Sequence, residues 1–279
     1  MSAAKQGRPE MNRRWLIVVA CILIAAAVGF QQVEPLHELR NYGTVAPGGW
    51  WFDGDLHGFR FVAKDSSPTH FVNALPILQK CSSINRVAVP KSSELGRVLA
   101  QVAQLDHIVA IELFDKDVSD EDLAGLAGMK QLKFLELNHN PRVTDAGIAT
   151  LSGLEKLRVL DLTSTSVTGT GLKDRSDMVS LEHLTLNDCP VTDESLAAIP
   201  RFPKLTHLFL GGTQVTDAGL MSLVGWHSLR DVSWSDINTR EGRRAFNEAF
   251  NAARRKARAA GEWTDDYDRG PVFMSDRAE

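Results

Sequence analysis

The stretch Leu205–Ser228, LTHLFLGGTQVTDAGLMSLVGWHS, is one copy of a 24-residue unit that recurs with small edits along most of the chain. A unit this short cannot bury its own apolar side, so successive units have to stack, and a chain built this way grows as a solenoid. The apolar residues fall at positions 1, 4, 6, 11, 16, 19 and 22, here Leu205, Leu208, Leu210, Val215, Leu220, Leu223 and Trp226. The unit before gives Leu181, Leu184, Leu186, Val191, Leu196, Ile199 and Phe202. Units starting at Leu132 (with a one-residue insertion near Pro141) and at Ile108 keep the pattern, and one at Ile84 keeps most of it. A further unit fits Leu56, Phe59 and Phe61, with Leu75, Leu78 and Cys81 at its helical positions.

Positions 4 and 6 alternate, as on a strand with one face buried, whereas 16, 19 and 22 recur at helical spacing. Each unit therefore reads as strand, turn and helix. Stacked units place their strands in one parallel sheet on the concave face and their helices on the convex face. Position 9 carries Asn140, Thr165, Cys189 and Thr213, small residues suited to a tight bend whose backbone groups need partners. The Val-Thr-Asp step at Val143, Val191 and Val215, with Ser119 and Asp120 one unit earlier, puts a capping hydroxyl and a carboxylate at each helix start. One unit departs: between Leu157 and Ser180, Gly169 stands where others have Asp and Arg175 where others have Leu, which predicts a loop or frayed turn.

LxxLxL followed by VTDxGLxxL resembles the leucine-rich repeats, in the subtype shared with the cysteine-containing repeats of F-box adaptors. With its N-terminal apolar run the chain resembles bacterial membrane-anchored proteins of that kind. The likeness covers Ile84 to Trp234, and Leu56 to Gln79 more loosely. It implies an α/β right-handed leucine-rich repeat solenoid, and for activity only what such repeats do in general, which is to bind other proteins on the concave face; a structural or self-associating part in an envelope assembly is the alternative.

The array, residues 56–238, is flanked by smaller parts. Residues 1–14 form a basic tail with Lys5, Arg8, Arg13 and Arg14, and residues 15–33 hold the uncharged run Trp15 to Phe30. That asymmetry predicts a single-pass signal-anchor with the N-terminus in the cytoplasm and the array outside. Ala25 and Ala27 leave open the alternative of a cleaved secretory signal. Residues 34–55 read as a short helix from Glu34 to Tyr42 and a turn-rich lead into the array, where Trp50 and Trp51 seal its open end or sit at the membrane interface. After the array, Asn238 to Glu241 suggests a capping box. Residues 239–261 form a helix whose Phe246, Ala249, Phe250 and Ala253 cover the exposed end of the solenoid, and the polar stretch 262–279 is expected to be disordered.

Strand positions 3, 5 and 7 face away from the core, onto the concave sheet. Position 5 reads Ala88, Glu112, Glu136, Asp161, Thr185, Phe209 and Ser233 across the units; position 3 reads Arg86, Ala110, Phe134, Val159, His183, His207 and Asp231. Glu112, Glu136 and Asp161 thus form a column of like charges, roughly 4.8 Å apart, with Phe114 and Phe134 beside them as apolar anchors. Such a column suits a protein partner with a basic surface; a solvated face eased by Lys133 and Arg158 is the competing reading. His183, His207 and Asp231 share a second column, read as surface polarity rather than as a metal site. No cofactor or metal is expected.

The 31 basic and 35 acidic residues nearly balance, which argues against nucleic acid as a partner. No GxSxG elbow, P-loop, HExxH or dinucleotide fingerprint occurs, so no enzyme activity is expected. The three cysteines lie far apart and suggest neither a disulfide framework nor zinc.

Overall fold

The computed structural model describes residues 33–47, 58–64, 67–234 and 237–261. Through the described residues runs a nine-stranded sheet in simple sequence order. Its strands are β1 (Gly43–Pro47), β2 (Phe59–Ala63), β3 (Ile84–Ala88), β4 (Ala110–Glu112), β5 (Phe134–Glu136), β6 (Val159–Asp161), β7 (His183–Thr185), β8 (His207–Phe209) and β9 (Asp231–Val232). From β2 onward every neighbouring pair is parallel. Between them lie α2 (Pro68–Leu78), α3 (Leu95–Val102), α4 (Asp120–Leu123), α5 (Asp145–Thr150), α6 (Asp193–Ala198) and α7 (Asp217–Met221), with α1 (Val33–Leu39) before β1 and α8 (Arg240–Ala259) after β9. Strands pack about 4.8 Å apart and helices about 8–10 Å apart, so stacking the two in register curves the array with the sheet inside.

The apolar positions of each unit line one continuous core: Leu132, Leu135, Leu137, Val143, Ile148, Leu151 and Leu154 are all fully buried, as are the equivalents on either side. Helices of four to six residues, such as α4, α5 and α6, are too short to persist alone, so this shared core is what holds them. The loosely matched first unit is present as β2 and α2, with Phe61, Leu78 and Cys81 fully buried.

Asn140 at position 9 is fully buried and serves the loops of two successive units. Its Oδ1 accepts from the Lys116 and Val118 amides, both at 3.0 Å, and its Nδ2 donates to the carbonyls of Leu113 and Leu137 at 2.8 Å. The Thr165 and Thr213 hydroxyls and the Cys189 thiol each donate to a loop carbonyl in the same place. The residue just before, Asp115, His139, Ser164, Asp188 or Gly212, has positive φ in every one of these units. Its amide still reaches the next strand, as when Asp188 donates to Gly211 O at 2.8 Å, so the ladder continues past the short strands into the turn.

The Val-Thr-Asp steps cap helices as expected, but only through the hydroxyl. Thr144 and Thr216 accept from the amides two residues on, and Thr192 from Ser195. The aspartates do something else: each carboxylate reaches the following unit. Asp120 accepts from the Thr144 amide and hydroxyl at 2.7 and 2.6 Å, Asp145 from those of Thr168, Asp193 from those of Thr216 and Asp217 from those of Thr239. The glycine of VTDxG is where this carboxylate sits: a Cβ on Gly219 would lie 2.1 Å from Asp193 Oδ1, and one on Gly147 2.3 Å from Asp120 Oδ1. The departing unit breaks the chain of links. With Gly169 in place of Asp, its helix shrinks to a 3-10 turn, Thr170–Leu172, and the Thr192 amide instead donates to the Ser195 hydroxyl in a capping box of its own helix.

The two ends differ. At the C-terminal end Phe246 and Phe250 of α8 are fully buried, with Trp234 edge-on to Phe246 at 5.8 Å. Its N-cap is Thr239, not Asn238, whose amide instead binds Val215 O. Arg254, near the end of the same helix, is buried with its guanidinium 5.8 Å from the Phe250 ring. At the N-terminal end the expected helix is α1, and the stretch expected to be only turn begins with a strand, β1, antiparallel to β2. Trp50 and Trp51, the run Trp15 to Phe30 and residues 262–279 lie outside the described residues. Among the described residues no helix is long and apolar enough to cross a membrane.

Candidate binding face

The position-5 column forms as predicted: Ala88, Glu112, Glu136, Asp161, Thr185 and Phe209 pair successively across β3 to β8. Glu112 is nearly buried and is held by Arg60, whose Nε lies 2.8 and 2.7 Å from its two carboxylate oxygens while Nη2 closes a further contact. Arg60, on β2, thus reaches across β3 to Glu112 on β4. Arg86, beside Arg60 in register, is also buried, and burial lowers its pKa against the opposing pull of Glu112 and Glu136. Asp161 is tied to its own strand, accepting from the Thr163 amide and hydroxyl at 3.0 and 2.7 Å.

Glu136, between these two, has neither arrangement. Burial, then the negative charges of Glu112 and Asp161, push its carboxyl up to about 7, with Arg60 and Arg86 opposing. The repulsion expected in the column is therefore present. It is eased by Arg60 and Arg86 rather than by Lys133 and Arg158, and Arg158 pairs with Glu182 at 2.8 Å. Arg60 was legible in the sequence, since it alternates with Phe59 and Phe61 on β2 and so must face the sheet's open side.

The two phenylalanines placed beside the column part company. Phe114 is 48% exposed, edge-on to His139 at 5.2 Å. Phe134 is fully buried in a small cluster with Ala110 and Val159, so it is a packing residue and not an anchor. An aromatic in a row between an alanine and a valine has small neighbours to pack on, which the one-in-two alternation of the strand does not reveal.

Further along, His183 and His207 stack with ring centroids 4.1 Å apart, and Phe209 continues the stack 6.3 Å from His207. Thr206 Oγ1 lies 2.8 Å from His207 Nδ1, and burial lowers the His207 pKa despite Asp231. Parallel rings at this distance form an aromatic platform. Among the described residues no group of three or more histidine, cysteine, aspartate or glutamate side chains is placed to hold a metal ion. The thiols are not poised as nucleophiles: burial and then Glu38 push Cys81 up to about 11, and burial raises Cys189.

Residues 178–199 and 203–224 match the leucine-rich repeat family. The fold is accordingly a leucine-rich-repeat-like α/β solenoid with a parallel sheet. Similar solved structures include an internalin (inlF) from Listeria monocytogenes, 17% identical over 58% of this chain and 52% of the internalin, with a TM-score of 0.39. Another is the plant peptide hormone receptor RGFR1 in complex with RGF2, 14% identical over 58% of this chain and 26% of the receptor, with a TM-score of 0.36. The chain thus spans about half of the internalin chain. No curated protein matches it.

Proposed function

We propose that this is a non-enzymatic recognition protein of the cell envelope that binds a basic segment of another protein on the concave sheet. Glu136 carries the reading. Its half-buried carboxyl stands between two other acids and stays raised even though Arg60, which is bonded to Glu112, and Arg86 both oppose the shift. A lysine or arginine from a partner would supply the missing positive charge in a partly desolvated place, where it counts for more than on open surface. Phe114, half exposed beside the column, offers apolar contact, and the His183, His207 and Phe209 platform extends the face. Leucine-rich repeats in general serve protein binding, which supports the same reading. The apolar run Trp15 to Phe30 with its preceding cations supports an anchored, extracytoplasmic array; secretion after signal cleavage is the alternative.

The test is a titration of the full chain with an arginine-rich peptide, followed by fluorescence anisotropy. Binding at pH 8 should weaken at least tenfold in Glu136→Lys. It should also weaken as pH falls, because protonation below about 7 removes the charge that the peptide meets. From one unit above that value to one below, the ionised fraction drops about tenfold, which bounds the effect. Equal affinity of the two proteins, with both folded, would sink the proposal.

A further inference from the structure

Among the described residues, β1 has a neighbouring strand on one side only. The phase of its hydrogen bonds follows from one contact: the Lys64 amide donates to Tyr42 O at 2.6 Å. In an antiparallel pair, alternate residues bond the neighbouring strand and those between them face away. With Thr44 opposite Val62 and Ala46 opposite Arg60, the residues that bond β2 are Tyr42, Thr44 and Ala46. Gly43, Val45 and Pro47 therefore turn their backbone groups outward, and no described strand lies on that side.

Two further features make this edge unusual. Its sequence, GTVAP, has no charged residue, although exposed edges are ordinarily blunted by charge. Among the described residues, the core behind it is only partly covered. Leu36, Tyr42 and Val45 pack against the main core but remain only partly buried, whereas the opposite end is closed by α8.

We propose that β1 pairs antiparallel with β1 of a second copy, across a two-fold axis at Val45. The register is dictated by the donors available. Centred on Val45, the two Val45 residues exchange both of their N–H and C=O groups, and each Gly43 N–H meets the Pro47 carbonyl of the other copy. Centring on Pro47 would oppose two residues that have no N–H. Centring on Gly43 would set Val45 against Asn41, whose amide is already used in the turn to Glu38 O. The edge is thus self-complementary at one register, as an isologous contact requires. The sheets of the two copies become one, and the two half-covered core ends are brought side by side. The proposal is independent of the basic-partner reading, since the concave column lies strands away and is left open.

Sedimentation velocity of the full chain in detergent tests it, with Val45→Pro as the variant. The Val45 N–H faces outward, so proline there removes the central pair of bonds and leaves those between β1 and β2 in place. The wild type should sediment at twice the protomer mass as concentration rises, and Val45→Pro as the single protomer with an unchanged far-ultraviolet spectrum. Hydrogen exchange supplies a readout that needs no variant: the Gly43 and Val45 amides should be protected in concentrated protein and exchange freely on dilution. A wild type that stays a protomer up to millimolar concentration overturns the proposal, as it would if β1 served another protein's strand instead. A dimer that persists in folded Val45→Pro, or one in which these two amides gain no protection, overturns it too.

Discussion

Asn140 has no apolar function, yet it is as deeply buried as any leucine of the core. One amide group satisfies the Lys116 and Val118 amides and the carbonyls of Leu113 and Leu137. Leucine, with the same branching but no polar atoms, would leave those groups without partners, and each buried polar group so abandoned costs about 1–3 kcal/mol. Asn140→Leu should therefore lower unfolding stability by ~3 kcal/mol or more in urea denaturation, with the largest loss of exchange protection in the loop from Lys116 to Val118. A variant as stable as the wild type would show that water replaces the amide. Glu136 presents the opposite case, a group whose ionisation the fold opposes. Its folded value of about 7 lies above the ordinary carboxyl value of 4.5, so the native state holds its proton longer than the unfolded chain does. That term of the stability should decline as pH rises from about 4.5 to about 7 and stay low above it. Glu136→Gln should flatten the decline and be the more stable protein at pH 8; a parallel pH profile of melting temperature would contradict this.

At the scale of the repeat, the aspartate links add a polar tie between units whose helices already share the core. The Asp193 carboxylate accepts from the Thr216 amide and hydroxyl at 2.7 and 2.5 Å while standing where a Gly219 side chain would be. Asp193→Ala should cost ~1–2 kcal/mol, the worth of charge-assisted bonds at a partly exposed site. Gly219→Ala should destabilise the wild type by crowding that carboxylate. In the Asp193→Ala background the same change should cost much less or turn favourable, because alanine is the better helix former by about 1 kcal/mol. Additive effects in this double-mutant cycle would remove the account of the VTDxG glycine. The elements themselves were legible in the sequence because the repeat multiplies a weak signal: each Leu-x-Leu strand is only two or three residues long, but its period names it. What was not legible lay between units. Sequence placed the aspartates at helix starts but could not show that they bond forward, nor that Phe134 packs on Ala110 and Val159 instead of facing a partner. β1 escaped for a different reason: its five residues, one of them Pro47, have no repeat to support them.

Across the whole molecule, stability is shared between neighbours, so damage at one end should stay there. Phe246→Ala opens a cavity under α8 and should cost about 3–5 kcal/mol locally. Hydrogen exchange should then quicken from Leu229 to Trp234 while β4 to β6 keep their protection; uniform loss would mean that the solenoid unfolds as one cooperative block. The same one-dimensional build leaves the sheet's open face as a row of side chains that the fold does not need, which is where recognition can be written. Glu112 is satisfied within the molecule and Asp161 by its own strand, so the burden of the functional reading falls on Glu136. The most direct test is capture of partner protein from the envelope fraction of the source cells. Wild type would be compared with Glu136→Lys and with Glu194→Lys, the same charge change on the exposed helical face. The account predicts a partner retained by wild type and Glu194→Lys and lost at least tenfold from folded Glu136→Lys. Equal retention by all three would contradict it.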